Sequence, residues 1–189
     1  MVTGCIFILF LAMNPDFTKT HFALFGLTQS FAMDVAALDN AYRDVQREVH
    51  PDRFANAPDV EKRLAAQWAT QANEAYRTLK SPLNRGRYLL RINGIDTEEE
   101  RNTAMPLKFL TQQMEWREAV VDAKARHDAT TLGALAKQKY TEEKSLFVLL
   151  AAQLAETKTM VEARETVRKL RFLEKLGEEI DLANESIEH

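Results

Sequence analysis

One cysteine, Cys5, stands in the 189 residues of the chain. A lone thiol cannot close an internal disulfide, and by itself it cannot hold a metal cluster or a structural zinc ion. Such sparing use of cysteine suits a reducing compartment. An excess of charge of one sign is missing too. The net charge is -3, which gives no electrostatic reason to expect nucleic acid or an anionic membrane surface as a partner. Long hydrophobic runs are absent. The stretch CIFILFLAM near the start falls far short of the roughly 20 apolar residues that cross a bilayer. It resembles a signal core, but no Lys or Arg precedes it and no small-residue cleavage site follows, so a membrane-targeting segment is the lesser reading. Met13 opens MNPDF just beyond it. Residues 1–12 are therefore expected to be an extension without a fold role, with Met13 a plausible alternative start.

No stretch alternates apolar and polar residues as a half-buried strand does, and no repeat of fixed period or low-complexity tract appears. Helical spacing is present almost throughout. Val35, Leu38, Ala41, Tyr42, Val45 and Val49 fall on one helical face, with Asp34 placed to cap it. Leu64, Trp68, Ala72, Ala75 and Leu79 form a second stripe. Ser81-Pro82 marks a break and restart, and Asn93-Gly94 a stop. GIDTEEERNTAM is polar and lacks a stripe. Beyond Pro106 the pattern is helical nearly to the end, with breaks near HDATT and ETKTM. The chain reads as all-α: a compact four-helix region over 14–93 after an extension at 1–13, a linker at 94–105, and a three-helix bundle over 106–187.

Between the first two stripes stands His50-Pro51-Asp52. Pro51 disfavours helical backbone at His50 and has no amide to donate, so the preceding helix should end there. Three readings compete for the His and the Asp. The plain one is a capped corner in which Asp52 bonds local amides. The second is catalysis, with His50 as a base and Asp52 as its orienter. No Ser or Cys nucleophile and no glycine-rich oxyanion loop stands nearby to support it. The third is recognition, in which a rigid loop presents one carboxylate to a cationic groove on a partner.

The surroundings favour recognition. Ala41-Tyr42-Arg43, then His50-Pro51-Asp52-Arg53, then Asn73-Glu74-Ala75-Tyr76, Leu79, Pro82 and Arg85 together resemble a J domain over roughly residues 20–93. That resemblance implies binding to a DnaK-type chaperone ATPase and stimulation of its ATP hydrolysis. Asp52 would engage basic residues of the ATPase, and His50 and Pro51 would shape the loop. Tyr42, Arg43, Arg47 and Arg53 would lie on the docking face. One feature departs from many J domains: Arg43 and Arg47 form a basic strip, but Asp44 and Glu48 form an acidic one beside it. Steering by charge should be weaker than for a uniformly basic helix.

The helix starting after Pro106 has two apolar sides when turned at about 100° per residue. Phe109, Trp116, Val120 and Ala123 lie on one side. Leu107, Leu110 and Met114 lie roughly opposite, with Glu118 in line and Glu115 at the edge. A bundle helix needs one apolar face, so the second suggests a partner surface. The alternative is burial of both faces between two domains. In the last helix Met160, Ala163, Val167 and Leu170 make a stripe from which Phe172 projects, near Arg168.

FALFGL, SPLNRGRYLLRINGID, FLTQQMEWRE and TVRKLRFLEKL together resemble the HscB family, J-type co-chaperones of iron–sulfur cluster assembly, over about residues 17–185. The resemblance implies that the C-terminal bundle binds an IscU-type scaffold and the J domain an HscA-type chaperone. It implies scaffold contacts at Leu110, Met114, Glu115, Glu118 and Phe172. Thr111 stands where the family often has an apolar residue and is left out. The paired cysteines of the N-terminal zinc module in some eukaryotic relatives are missing. The resulting expectation is a cytoplasmic co-chaperone, not an enzyme, with no metal or cofactor of its own. A general J protein that delivers unfolded clients is the alternative.

Overall fold

The computed structural model describes residues 19–99 and 104–188. The expected extension at residues 1–12, with Met13 and Cys5, lies outside the described residues, as does part of the expected linker. The described residues form helices joined by short turns, and none of them is in a strand. Helix α1 is His21–Leu24, α2 Val35–Val49, α3 Asp59–Lys80, α4 Pro82–Ile92, α5 Leu107–Ala125, α6 Ala129–Ala155 and α7 Met160–Glu188. A 3₁₀ turn, Pro51–Phe54, joins α2 to α3. No helix among the described residues is long and apolar enough to cross a membrane. The chain divides into two compact units, one ending at Ser81 and the other beginning at Pro82.

The first unit is built on the α2–α3 hairpin. Asp34 starts α2, its carboxylate accepting the Ala36 amide at 2.8 Å, which satisfies a donor the helix itself cannot. The helices run antiparallel, as their cross-links show: Gln46 and Tyr42 reach Asn73, and Asp39 reaches Tyr76 and Lys80. The core contains Leu38 and Val49 of α2, Ala65, Ala72, Ala75 and Leu79 of α3, and Phe22 and Phe25 from the segment before them. The buried line is therefore narrower than the sequence stripes. Val35 is exposed, and Leu64 and Trp68 are only half-buried. Alanines occupy much of α3's inner face, and small side chains let two helix backbones approach closely, which pushes bulky neighbours toward the rim.

The second unit is a bundle of α5, α6 and α7 with α4 packed on α6 and α7. Val120, Ala123, Leu132, Leu135, Leu176, Ile180 and Ala183 make one continuous core, with Trp116 against it. Asp128 caps α6 through its bond from the Thr131 amide at 3.0 Å, and Ala155–Met160 holds the second break. Both breaks fall where the sequence pattern puts them. Thr166 donates to Gln153 at 2.8 Å and links α7 to α6. Arg117 donates to both carboxylate oxygens of Glu179 at 3.1 Å, linking α5 to α7. Gln113 is 1% exposed, and neither polar atom of its amide has a partner among the described residues.

Helix α4 differs from the sequence reading in its company. The reading grouped it with residues 14–93, but its contacts place it in the second unit. Leu83, Tyr88, Leu89 and Leu90 are buried, and Arg87 pairs with Glu99 and with Glu174 of α7. The helix stops as its sequence dictates. Gly94 takes φ +76°, its amide bonds Arg91 O at 3.0 Å, and the Ile95 amide bonds Leu90 O at 2.9 Å. That pair of bonds needs a left-handed residue, which glycine adopts without a Cβ clash.

Candidate functional site

The corner after α2 is assembled from its own backbone. His50 ends α2 and begins the 3₁₀ turn, with extended backbone as Pro51 requires. His50, rather than Asp52, does the capping: its Nδ1 accepts the Asp52 amide at 3.3 Å. An accepting Nδ1 puts the neutral ring's proton on Nε2. The Arg53 amide bonds His50 O at 3.0 Å, closing the turn. Phe54 is buried and anchors the turn to the hairpin core. Asp52 is left with its side chain 91% exposed and one oxygen 3.6 Å from His50 Nδ1. A ring and a buried phenylalanine thus hold a turn whose carboxylate faces water.

The cationic residues around the corner are exposed and braced locally. Arg53 pairs with Glu48 at 3.0 Å and donates to Arg47 O at 3.3 Å. Arg47 pairs with Asp44, and Arg43 donates to Asn40. The acidic strip seen in the sequence therefore directly engages Arg47 and Arg53. Exposed pairs of this kind are worth well under about 1 kcal/mol each, so a partner's carboxylates can displace them. Tyr42 is placed differently. Its ring stacks on Tyr76 at a centroid distance of 4.0 Å and meets the Phe25 ring edge-on at 6.4 Å. Its hydroxyl donates to Asn73 at 2.7 Å. Tyr42 is half-buried inside the hairpin, and its hydroxyl and ring are both engaged there.

A second cluster lies on α5, in the other unit. Leu107, Met114 and Val121 are exposed, Met114 by 62% and Val121 by 66%. Leu110 is half-buried, and Glu115 and Glu118 are exposed. The opposite side carries Phe109, Val120 and Ala123 into the core. Helix α5 is thus apolar on both sides, with one side exposed. Phe172 of α7 is half-buried, its ring edge-on to Phe109 at 6.0 Å with planes 81° apart. Through Phe109, the packing brings Phe172 beside the first turn of α5. The sequence reading did not include Val121 in the stripe, though it stands seven residues after Met114, two helical turns along the same face. Thr111, set aside in that reading, bonds Leu107 O within its own helix at 3.1 Å. No group of three or more potential metal ligands is found among the described residues.

A helical hairpin turning on a His-Pro-Asp corner, with a helical bundle after it, is the plan of a J-type co-chaperone. The comparisons agree. Residues 105–181 match the family model described as the HSCB C-terminal oligomerisation domain. The chain is 51% identical over 170 residues to a co-chaperone protein HscB homolog of Paraburkholderia phymatum, covering 90% of this chain and 97% of that protein. A homolog of the same name from Aromatoleum aromaticum is 47% identical over 176 residues, covering 93% and 99%. Chaperone HscB from Vibrio cholerae superimposes with a TM-score of 0.79 at 34% identity, over 89% of this chain and 99% of that one. The human co-chaperone protein HscB gives 0.83 at 31% identity, over 89% and 83%. The chain belongs to the HscB family of co-chaperones.

Proposed function

We propose that the protein binds an IscU-type iron–sulfur scaffold and delivers it, in the cytoplasm, to an HscA-type chaperone of the DnaK class, whose ATP hydrolysis it stimulates. One observation carries the chaperone half of this reading: the Asp52 carboxylate is held toward solvent on a turn that His50 and Phe54 fix from behind. A carboxylate on a pre-formed turn loses little conformational freedom on meeting a cationic groove, and charge-assisted bonds there are among the stronger polar contacts. Arg43, Arg47 and Arg53 flank it and exchange their weak local pairs for acidic groups of the ATPase. Tyr42 acts one step back, fixing α2 against α3.

The scaffold half is supported by the exposed face of α5. Leu107, Leu110, Met114 and Val121 would supply apolar contact, Phe172 a ring beside them, and Glu115 and Glu118 orientation. ATP hydrolysis belongs to the chaperone, and the cluster is cargo of the scaffold. The co-chaperone contributes proximity, bringing the scaffold to the chaperone when hydrolysis is triggered, so that the change of nucleotide state promotes cluster transfer. The test is a steady-state ATPase assay with the HscA-type chaperone, with and without the scaffold. Wild-type protein should stimulate hydrolysis, and more so when the scaffold is present. An Asp52→Asn protein that stimulates as well as wild type would refute the mechanism.

A further inference from the structure

Asp39, Tyr42 and Gln46 lie on one face of α2 and bond across to Lys80, Tyr76 and Asn73 of α3. Asn73 stands apart in this ladder because one of its atoms serves two donors. Its side-chain oxygen accepts the Tyr42 hydroxyl at 2.7 Å and the Gln46 amide at 2.7 Å. The two donors sit one turn apart on α2, and all three side chains are half-buried. Arg43 and Arg47 directly follow the two donors in the chain, and both are exposed. At about 100° per residue, whatever fixes Tyr42 and Gln46 also fixes where Arg43 and Arg47 point.

Apolar contact between two helices has no direction and tolerates small rotations. A hydrogen bond does not, because it weakens steeply away from a near-linear geometry. Two bonds that converge on one oxygen from successive turns therefore set the rotation of α2 about its own axis. The stack of Tyr42 on Tyr76 resists separation of the helices. The Asp39–Lys80 pair lies two turns before Gln46, farther from the His50-Pro51-Asp52 corner. Rotation by about 20° at the roughly 5–6 Å radius of a helix with its side chains moves a surface group by about 2 Å. A charge-assisted bond, made at about 2.7–2.9 Å, does not survive such a shift. We propose that Asn73 is a positioning residue for chaperone stimulation: by holding Tyr42 and Gln46 on one oxygen, it keeps Arg43 and Arg47 in register with the Asp52 turn. Half-buried inside the hairpin, it acts through the two arginines. The inference rests on the chaperone docking proposed above and adds to it a residue behind the docking face.

The test is the ATPase rate of the HscA-type chaperone against the concentration of the full-length co-chaperone, which separates the half-maximal concentration from the maximal stimulation. Asn73→Leu, checked for folding by circular dichroism, should raise the half-maximal concentration at least several-fold. The maximum should stay near wild type, because Asp52 is untouched. Asn73→Asp keeps an accepting oxygen and should recover most of the loss. Loss of one donor leaves the other on the oxygen, so Tyr42→Phe combined with Gln46→Leu is the second route. That pair should reproduce the shift, and it decides the matter even where Asn73→Leu does not fold. In an Arg43→Ala/Arg47→Ala background, Asn73→Leu should add no further rise, since the groups it positions are gone. A simple loss of stability would add there as before. A folded Asn73→Leu protein with the wild-type half-maximal concentration, an Asn73→Asp protein no better than Asn73→Leu, or an undiminished rise in the background without the two arginines would overturn the proposal. A wild-type chain that gives no stimulation at all would overturn the chaperone role itself, and this inference with it.

Discussion

Asp39 of α2 and Lys80 at the end of α3 form a clamp, the Lys80 ammonium bonding both carboxylate oxygens at 2.6 and 2.7 Å. Tyr76 adds its hydroxyl to Asp39 at 3.1 Å. The bond from Lys80 holds the Asp39 carboxyl below its ordinary value, against the opposing effect of burial, and the Tyr76 hydroxyl assists. The bond from Asp39 raises Lys80 in turn. Folded Asp39 takes up a proton less readily than unfolded Asp39. Its contribution is therefore complete above the unfolded carboxylate value and fades as pH falls through the folded one. For Lys80 the contribution is complete below the unfolded lysine value and lost as pH rises through the folded one.

The first prediction follows from that clamp. Asp39→Asn should lower the urea midpoint at neutral pH, and the gap to wild type should close as pH drops below the ordinary carboxylate range, near about 4. Urea titrations at several pH values measure it. A gap that persists undiminished in strong acid would show that the carboxylate's charge is not the source.

Tyr42 distinguishes a packing role from a docking role. Tyr42→Phe keeps the stack on Tyr76 and loses the bond to Asn73, a loss of about 0.5–1.5 kcal/mol. Tyr42→Ala also loses the ring and should cost more, toward the upper end of the roughly 0.5–3 kcal/mol usual for a single substitution. Chaperone stimulation by Tyr42→Phe, measured where the protein is fully folded, should match wild type. Reduced stimulation by this folded variant would place the hydroxyl in the contact with the chaperone.

At the corner, Asp52→Asn should abolish ATPase stimulation while leaving the melting temperature within about two degrees of wild type, since an exposed surface change stays within roughly 0.5 kcal/mol. His50→Ala should also impair stimulation, by freeing the turn that its ring nitrogen caps. Hydrogen exchange at the Asp52 amide should rise in the His50→Ala protein. Unchanged exchange there would remove the cap from the explanation.

On α5, replacing Leu110, Met114 and Phe172 together by Ala should weaken scaffold binding by well over tenfold, because each large apolar side chain buried at an interface contributes roughly 1.5–3 kcal/mol. Stimulation by the co-chaperone without scaffold should be retained. Glu115→Gln and Glu118→Gln should cost less and depend on salt. Val121→Glu, in line with Met114, should weaken binding if the scaffold reaches the second half of the helix. Calorimetric titration decides these, and wild-type affinity in a folded triple variant would exclude the surface.

What was legible in the sequence was local. Asp34 and Gly94 act within a few residues of themselves, so that cap and that stop could be read directly. The His-Pro-Asp corner was legible as a helix end, but not the detail that His50 rather than Asp52 caps it, since that depends on a χ angle. The two-sided α5 was legible from its period. Its reach to Val121 follows from the same period, since Val121 stands seven residues after Met114 on the exposed side, while Val120, about 100° round, falls to the core. The company of α4 was not legible. Leu83, Leu89 and Leu90 announce that the helix buries a face, and an amphipathic pattern does not name the surface it is buried against.

The partnerless amide of Gln113 has a consequence for motion. A buried polar group left unbonded forfeits about 1–3 kcal/mol, and this one lies on the inner side of α5. The forfeit reduces the free energy needed to lift α5 from the bundle, while α6 and α7 keep the Thr166–Gln153 bond between them. Helix α5 should therefore be the first of the three bundle helices to open, and its amides should exchange with solvent ahead of those in α6 and α7. The helix that displays the exposed apolar stripe is then also the least firmly seated, so the surface is presented on the most adaptable part of the bundle.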